Sequence, residues 1–133
     1  MEIFMRRPDP DFTKYADFFD KKNIKEYKAG EYVFQKGDRG DCMFVVLDGQ
    51  VEVVAEDRVL SVIEKGYIFG EMALIDSSPR SADVRALSDC TLASIDEYAF
   101  RFLVKRMPNF TLDILSVMAN RLRSVNASLH LHH

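Results

Sequence analysis

Three textures of apolar and polar positions follow one another along the chain. From about Asp9 to Lys22, the residues Phe12, Tyr15, Ala16, Phe18 and Phe19 recur at near-helical spacing with polar residues between them, which predicts an N-terminal amphipathic helix. From Ile24 to Ile95 the pattern shortens to runs rich in Val, Ile, Phe and Tyr, and all six glycines of the chain fall in this stretch. Short strands separated at regular spacing by glycine turns predict a β-sandwich or barrel rather than alternating βαβ units. Val51-Glu52-Val53 and Ser61-Val62-Ile63 fit strands whose alternate residues face opposite sides. After Asp96 the helical period returns. Glu97 to Val104 predicts a short helix stopped before Pro108, and Pro108 suits the first turn of a longer one. In that longer helix Phe110, Ile114, Met118, Leu122, Val125 and Leu129 are spaced four, four, four, three and four apart, a stripe that must be covered. The chain's own barrel or the same helix of a second subunit would cover it, and the coiled-coil-like spacing is open to both.

A chain of 133 residues makes one domain of ordinary size, able to bury a core without disulfides or metals. Its net charge of −3, with both signs interspersed, argues against a nucleic-acid surface, which would concentrate basic residues on one face. Cys42 and Cys90 have no metal-type spacing and need no disulfide framework, so they read as buried small hydrophobes in a reducing compartment. The start, Met1 to Pro8, lacks the apolar core and cleavage site of a signal peptide, and runs such as Met43 to Leu47 fall far short of the ~20 residues that span a bilayer. A cytoplasmic protein with no membrane association is therefore expected. The histidines are His130, His132 and His133, at the extreme C-terminus, where they resemble a tail or the stub of a purification tag. The body of the chain thus lacks the inward-facing histidines of a barrel metalloenzyme and any Cys-His or Ser-His-Asp arrangement. No Walker-type loop is present either. Neither a metal nor catalysis is expected, and the remaining enzymatic alternative is a carboxylate mechanism using Glu71 with Asp76 or Asp83.

The chemistry concentrates in Phe69-Gly70-Glu71-Met72-Ala73-Leu74, followed by Pro79-Arg80-Ser81-Ala82. Gly70 lets backbone approach a ligand closely, and the good helix formers after it predict a one-turn helix whose free N–H groups suit an anion. Arg80 offers a planar fork matched to a phosphate, whereas an ionised Glu71 only accepts hydrogen bonds and suits a sugar hydroxyl. Together they read as a ribose-and-phosphate clamp. The bland alternative is a surface ion pair between Glu71 and Arg80, which would need neither the glycine nor the Pro-Arg-Ser-Ala run.

This segment resembles the phosphate-binding cassette of the cyclic nucleotide-binding domain family, the module of catabolite activators and protein-kinase-A regulatory subunits, and every position of the pattern matches. Ala29-Gly30-Glu31, Gly37 to Asp41 and Asp48 to Val53 resemble that family's turns, so the likeness covers most of the chain. It implies a mainly β fold, an eight-stranded antiparallel jelly roll over residues 24–95 with the cassette at 69–82, an N-terminal helix at about 9–22 and two C-terminal helices within 96–129. It further implies that Glu71 holds the ribose 2′-hydroxyl, that Arg80 holds the cyclic phosphate, and that the backbone from Gly70 through Met72 to Ala73, flanked by Phe69 and Ala82, completes the cradle. Ser81 would add a hydroxyl near phosphate or base. Val53 and Leu60 would lie against the purine or ribose, although by sequence alone each is simply a core residue. From the last helix Ser124, Asn126 or Ser128 would reach the base edge if that helix folds over the pocket, with Asn126 the preferred choice. The implied function is a non-catalytic sensor of cyclic nucleotide, cAMP ahead of cGMP, that relays binding through its C-terminal helices to an unidentified downstream protein. Two alternatives are a ligand-free interaction module of the same fold and the sensor fragment of a longer transcription regulator. After Leu129 nothing remains to form a helix-turn-helix, so direct nucleic-acid binding is not expected. The same resemblance implies that the long helix can form a homodimer.

Overall fold

A computed structural model describes the chain over residues 8–131, with side chains described through residue 126. Met1 to Arg7, His132 and His133 lie outside the described residues, as do the side chains of Ser128, Leu129 and His130. The chain falls into two compact units, residues 11–101 and the segments on either side of them.

The larger unit carries eight strands: β1 (Ile24–Tyr27), β2 (Tyr32–Phe34), β3 (Cys42–Asp48), β4 (Gln50–Ala55), β5 (Arg58–Glu64), β6 (Ile68–Phe69), β7 (Asp83–Ala86) and β8 (Cys90–Asp96). They form two four-stranded antiparallel sheets, ordered β1-β8-β3-β6 and β2-β7-β4-β5, the sandwich that the glycine-punctuated pattern predicts and the jelly roll that the resemblance implies. The interior between them is built from alternate residues: Phe44 and Val46 of β3, Val51 of β4, Val84 and Ala86 of β7, and Cys90 and Leu92 of β8. On β3 and β8 the other face is buried as well, by Met43, Val45, Ala93 and Ile95. Hence the run Met43 to Val46 is apolar throughout instead of alternating. On the second sheet the outward face is polar at its centre, where Arg85 of β7 donates from Nε to Glu52 of β4 at 2.5 Å.

The N-terminal helix takes a tighter form than the spacing predicts. It is a 3-10 helix over Phe12–Phe18, followed by a second short one over Lys21–Asn23. The Asp11 side chain accepts from the Thr13 N–H at 2.9 Å and Asp20 from the Lys22 N–H at 3.1 Å, so each aspartate starts its own turn and the segment is divided between them. The first helix touches β3 and is tied down where the Phe12 N–H donates to the Gly66 carbonyl at 2.8 Å.

Three α-helices complete the chain: α1 (Met72–Asp76), α2 (Glu97–Arg106) and α3 (Pro108–Leu131). Pro108 opens α3, as its missing N–H allows. Within the smaller unit the Asn120 amide donates to the Asp9 carboxylate at 2.7 Å, joining the N-terminal segment to α3. The buried positions of α3 are Phe110, Asp113, Ile114, Val117 and Asn120, whereas Leu122 and Val125 are exposed. Of the expected stripe, Phe110 and Ile114 are buried and Met118 is half-buried, Leu122 and Val125 are open for a second subunit to cover, and the side chain of Leu129 lies outside the described residues. Successive steps of four advance about 40° around a helix each, so a line of fours has rotated by roughly a third of a turn at Leu122. Among the described residues no helix is long and apolar enough to cross a membrane.

Candidate functional site

The segment from Phe69 to Ala82 leaves β6, makes the five-residue helix α1, and returns to β7 through the turn that carries Arg80. Gly70 sits at φ +75°, and a Cβ there would lie 2.7 Å from Nη1 of Arg80, so only glycine lets the guanidinium approach this backbone. Glu71 occupies the N-cap position with its side chain buried, and that side chain does not cap its own helix. The Glu71 carbonyl accepts from the N–H groups of Leu74 at 3.0 Å and Ile75 at 3.3 Å. The N–H groups that open a helix have no intrahelical acceptor, and here they belong to the residues that follow Gly70. Ser77, left-handed at φ 59°, closes α1, and the Asp76 carboxylate accepts from the Ser78 N–H at 3.0 Å to turn the chain toward Pro79. Those Ser78 hydrogen bonds, side chain first and backbone second, hold the exposed Asp76 carboxyl below its ordinary range. Asp83 is likewise engaged, accepting from the Lys36 N–H at 2.7 Å. Both aspartates of the carboxylate alternative thus serve as acceptors for backbone N–H groups.

Arg80 is 8% exposed. Its Nη1 donates to the Gly70 carbonyl at 2.9 Å and its Nη2 to the Cys42 carbonyl at 2.7 Å, while the guanidinium lies over the Phe34 ring, 4.1 Å from its centroid. Nε has no partner, and it is the single buried side-chain nitrogen or oxygen so placed among the described residues. Among them, no carboxylate forms an ion pair with Arg80 either. A buried cation held by carbonyl dipoles and a ring face, with one donor unused, is chemically matched to an anion from outside the chain. The backbone around it is fixed from the β2–β3 loop: the Arg80 N–H donates to the Asp38 carbonyl at 2.9 Å, and the Gly37 N–H donates to the Arg80 carbonyl at 2.8 Å. Gly40 of the same loop packs so closely that a Cβ would lie 2.5 Å from that of Ala73 and 3.1 Å from Nε of Arg80.

Ala73 and Arg80 therefore meet at Gly40, and Gly70 lies against Nη1 of Arg80. Phe69 is buried and stacks on Phe44 with ring centroids 5.0 Å apart, and Ala82 is buried beside the turn. Met72 and Ser81 are exposed. Val53 is half-buried against the core cluster. Leu60 is exposed and is the extra residue of a bulge, since Val53 pairs with Ser61 and Val54 with Val59. Asn126 is exposed on α3, in the smaller unit. Sequence reasoning missed Phe34, Cys42 and the loop contacts of Asp38 and Gly40. Gly37 to Asp41 were legible as turn glycines, but nothing in their spacing pointed to Arg80 across some forty residues. Of the two cysteines expected to be buried, Cys90 is buried and Cys42 is half-buried, with its Sγ 3.9 Å from Arg80 Nη2. Among the described residues no group of three or more His, Cys, Asp or Glu could hold a metal ion.

The sheet topology and the arginine-bearing turn define a class, and comparison with known proteins agrees with it: the cyclic nucleotide-binding domain family matches residues 24–107. The chain belongs to this family. It is similar to the cyclic AMP receptor protein of Thermus thermophilus, 30% identical over 110 residues, which cover 79% of this chain and 51% of the receptor. It is also similar to a cGMP-dependent protein kinase of Caenorhabditis elegans, 35% identical over 80 residues, covering 60% of this chain and 10% of the kinase. Among solved structures, the Thermus thermophilus catabolite activator protein superposes with a TM-score of 0.77 at 27% identity, covering 91% of this chain and 58% of that one. The chain thus spans about half the length of the Thermus receptor and a tenth of the kinase.

Burial, and next the neighbouring Asp41, push the Cys42 thiol up to about 11, against the pull of Arg80. The thiolate is the nucleophile, so Cys42 should be alkylated by iodoacetamide at pH 8 about a hundredfold more slowly than a free thiol, becoming reactive only as pH rises toward that value. Mass-spectrometric labelling rates test this, and a rate equal to that of glutathione would contradict it.

Proposed function

We propose that this chain is a non-catalytic sensor that binds a cyclic nucleotide, cAMP first and cGMP second, through the segment from Phe69 to Ala82. The observation that carries the reading is Arg80, a buried guanidinium with an unused Nε and no carboxylate partner among the described residues. In this reading Arg80 takes the cyclic phosphate together with the backbone from Gly70 to Ala73, and Glu71 accepts from the ribose 2′-hydroxyl. Val53, Leu60 and Ser81 flank the ribose and base, and Asn126 would meet the base edge if α3 folds over the pocket. Membership of the family and the cyclic AMP receptor of Thermus support cAMP, while the cGMP-dependent kinase supports cGMP as the second ligand. A reducing compartment such as the cytoplasm suits a protein with two free cysteines.

Binding would be relayed by the C-terminal helices to a downstream protein or a further segment. Such switching needs the ligand to prefer one helix arrangement, because equal affinity for two arrangements shifts nothing. We also propose that α3 pairs with a second copy. Leu115, Met118, Leu122 and Val125 are three, four and three residues apart, the alternation of a coiled-coil seam, and the first, third and fourth of them are more than half exposed.

Isothermal titration of nucleotide-free protein with cAMP and then cGMP tests the ligand. One site per chain is expected, weakened in Arg80→Ala by about 2–5 kcal/mol and only partly restored in Arg80→Lys, whose ammonium lacks the fork. Amide exchange beyond Asp96 should change on binding. Tight binding with no such change would sink the relay, and no heat with either nucleotide would sink the sensor. For the dimer, light scattering should give twice the chain mass for the wild type and the single mass for Leu122→Glu. A monomeric wild type at the concentrations used would contradict the seam.

A further inference from the structure

Phe34 lies on β2, outside the motif, and its ring is the group that faces the guanidinium of Arg80 most closely, at 4.1 Å from Cζ to ring centroid. Two more phenyl rings back it up. Phe44 and Phe69 lie 6.0 and 6.1 Å from Phe34, tilted by 38° and 45°, and are stacked on one another at 13°. The Phe44 ring also sits 5.8 Å from Arg80 Cζ. The site's most flexible member is thus surrounded by its least flexible ones.

We propose that Phe34 is the positioning residue of the site: its ring face sets the plane of the Arg80 guanidinium and thereby presents that group to the phosphate of the cyclic nucleotide. The proposal rests on the functional reading above. Arginine carries large rotamer freedom, and its bidentate recognition of phosphate works only when the planar fork meets the oxygens edge-on. The hydrogen bonds from Nη1 to Gly70 and from Nη2 to Cys42 hold two edges of the group but act within its plane. A ring face at 4.1 Å supplies the restraint perpendicular to that plane, by attraction of the cation to the ring quadrupole in a site shielded from water. Gly70 keeps the guanidinium's place clear, since a Cβ there would lie 2.7 Å from Nη1. Phe34 touches no anion itself and acts through Arg80.

The test compares Phe34→Leu, which keeps apolar bulk and removes the ring face, with Phe34→Tyr, which keeps the face. In the wild-type protein the Arg80 Nε–Hε proton, assigned by its loss in Arg80→Lys, is expected upfield of free arginine because its guanidinium lies over the Phe34 ring. Phe34→Leu should abolish that shift and weaken cAMP binding about tenfold, and Phe34→Tyr should retain both. A wild-type Nε–Hε signal at the free-arginine position would overturn the proposal without any variant having to fold. So would undiminished binding by Phe34→Leu, or equal loss in Phe34→Leu and Phe34→Tyr. Wild-type protein that binds neither cAMP nor cGMP would instead remove the functional reading and the proposal with it, a result distinct from binding that ignores Phe34.

Discussion

The burial of Arg80 without a carboxylate is the constraint around which this domain is arranged. Taking an ion out of water costs several kcal/mol even after relaxation, and proteins ordinarily recover it with a paired charge. Here the recovery comes from two carbonyl oxygens and aromatic faces, and Nε is left over. Such an environment holds the guanidinium in place while leaving its charge uncompensated by the chain. It would then interact with an anionic ligand in a shielded setting, where a charge-assisted hydrogen bond is worth more than in water.

Much of the fold reads as support for that placement. The carbonyls that receive Arg80 come from the first residue of β3 and the glycine after β6, neighbouring strands of one sheet. The ring beneath it comes from β2, and its backbone is gripped by the β2–β3 loop, so both sheets contribute. Beside Arg80, two positions admit no side chain without displacing something. Gly70 adopts a left-handed conformation against Nη1, and Gly40 lies against Ala73 and Nε. The glycines of this region thus divide between those that make turns and those that make room, a difference visible only in three dimensions.

The sequence carried the architecture well because its signals were periodic. Strands broken by glycines, the return to a helical period after Asp96 and the helix-opening Pro108 all have counterparts in the structure. The motif from Phe69 to Ala82 was legible because its chemistry is contiguous, and in the structure Gly70 and Ala73 both lie close to the Arg80 site. What was not legible depends on long-range register. Phe34, Gly40 and Cys42 reach Arg80 from roughly forty residues away, and in one dimension they look like a core residue, a turn glycine and a small hydrophobe. On α3 steps of four drift around the helix, which separates the buried Phe110 and Ile114 from the exposed Leu122 and Val125, and the burial of Asp113 and Asn120 was not legible in the apolar pattern. In the N-terminal segment, spacing signalled a helix, but the two capping aspartates divide it into 3-10 turns.

A crystal structure of the protein grown with cAMP would test the central claim most directly. The account predicts that the phosphate oxygens lie at hydrogen-bond distance from the Arg80 guanidinium and from N–H groups within Gly70 to Ala73, with the ribose 2′-hydroxyl on Glu71. A nucleotide bound with its phosphate elsewhere, for instance on the exposed lysines Lys22 and Lys25 at the edge of β1, would contradict it.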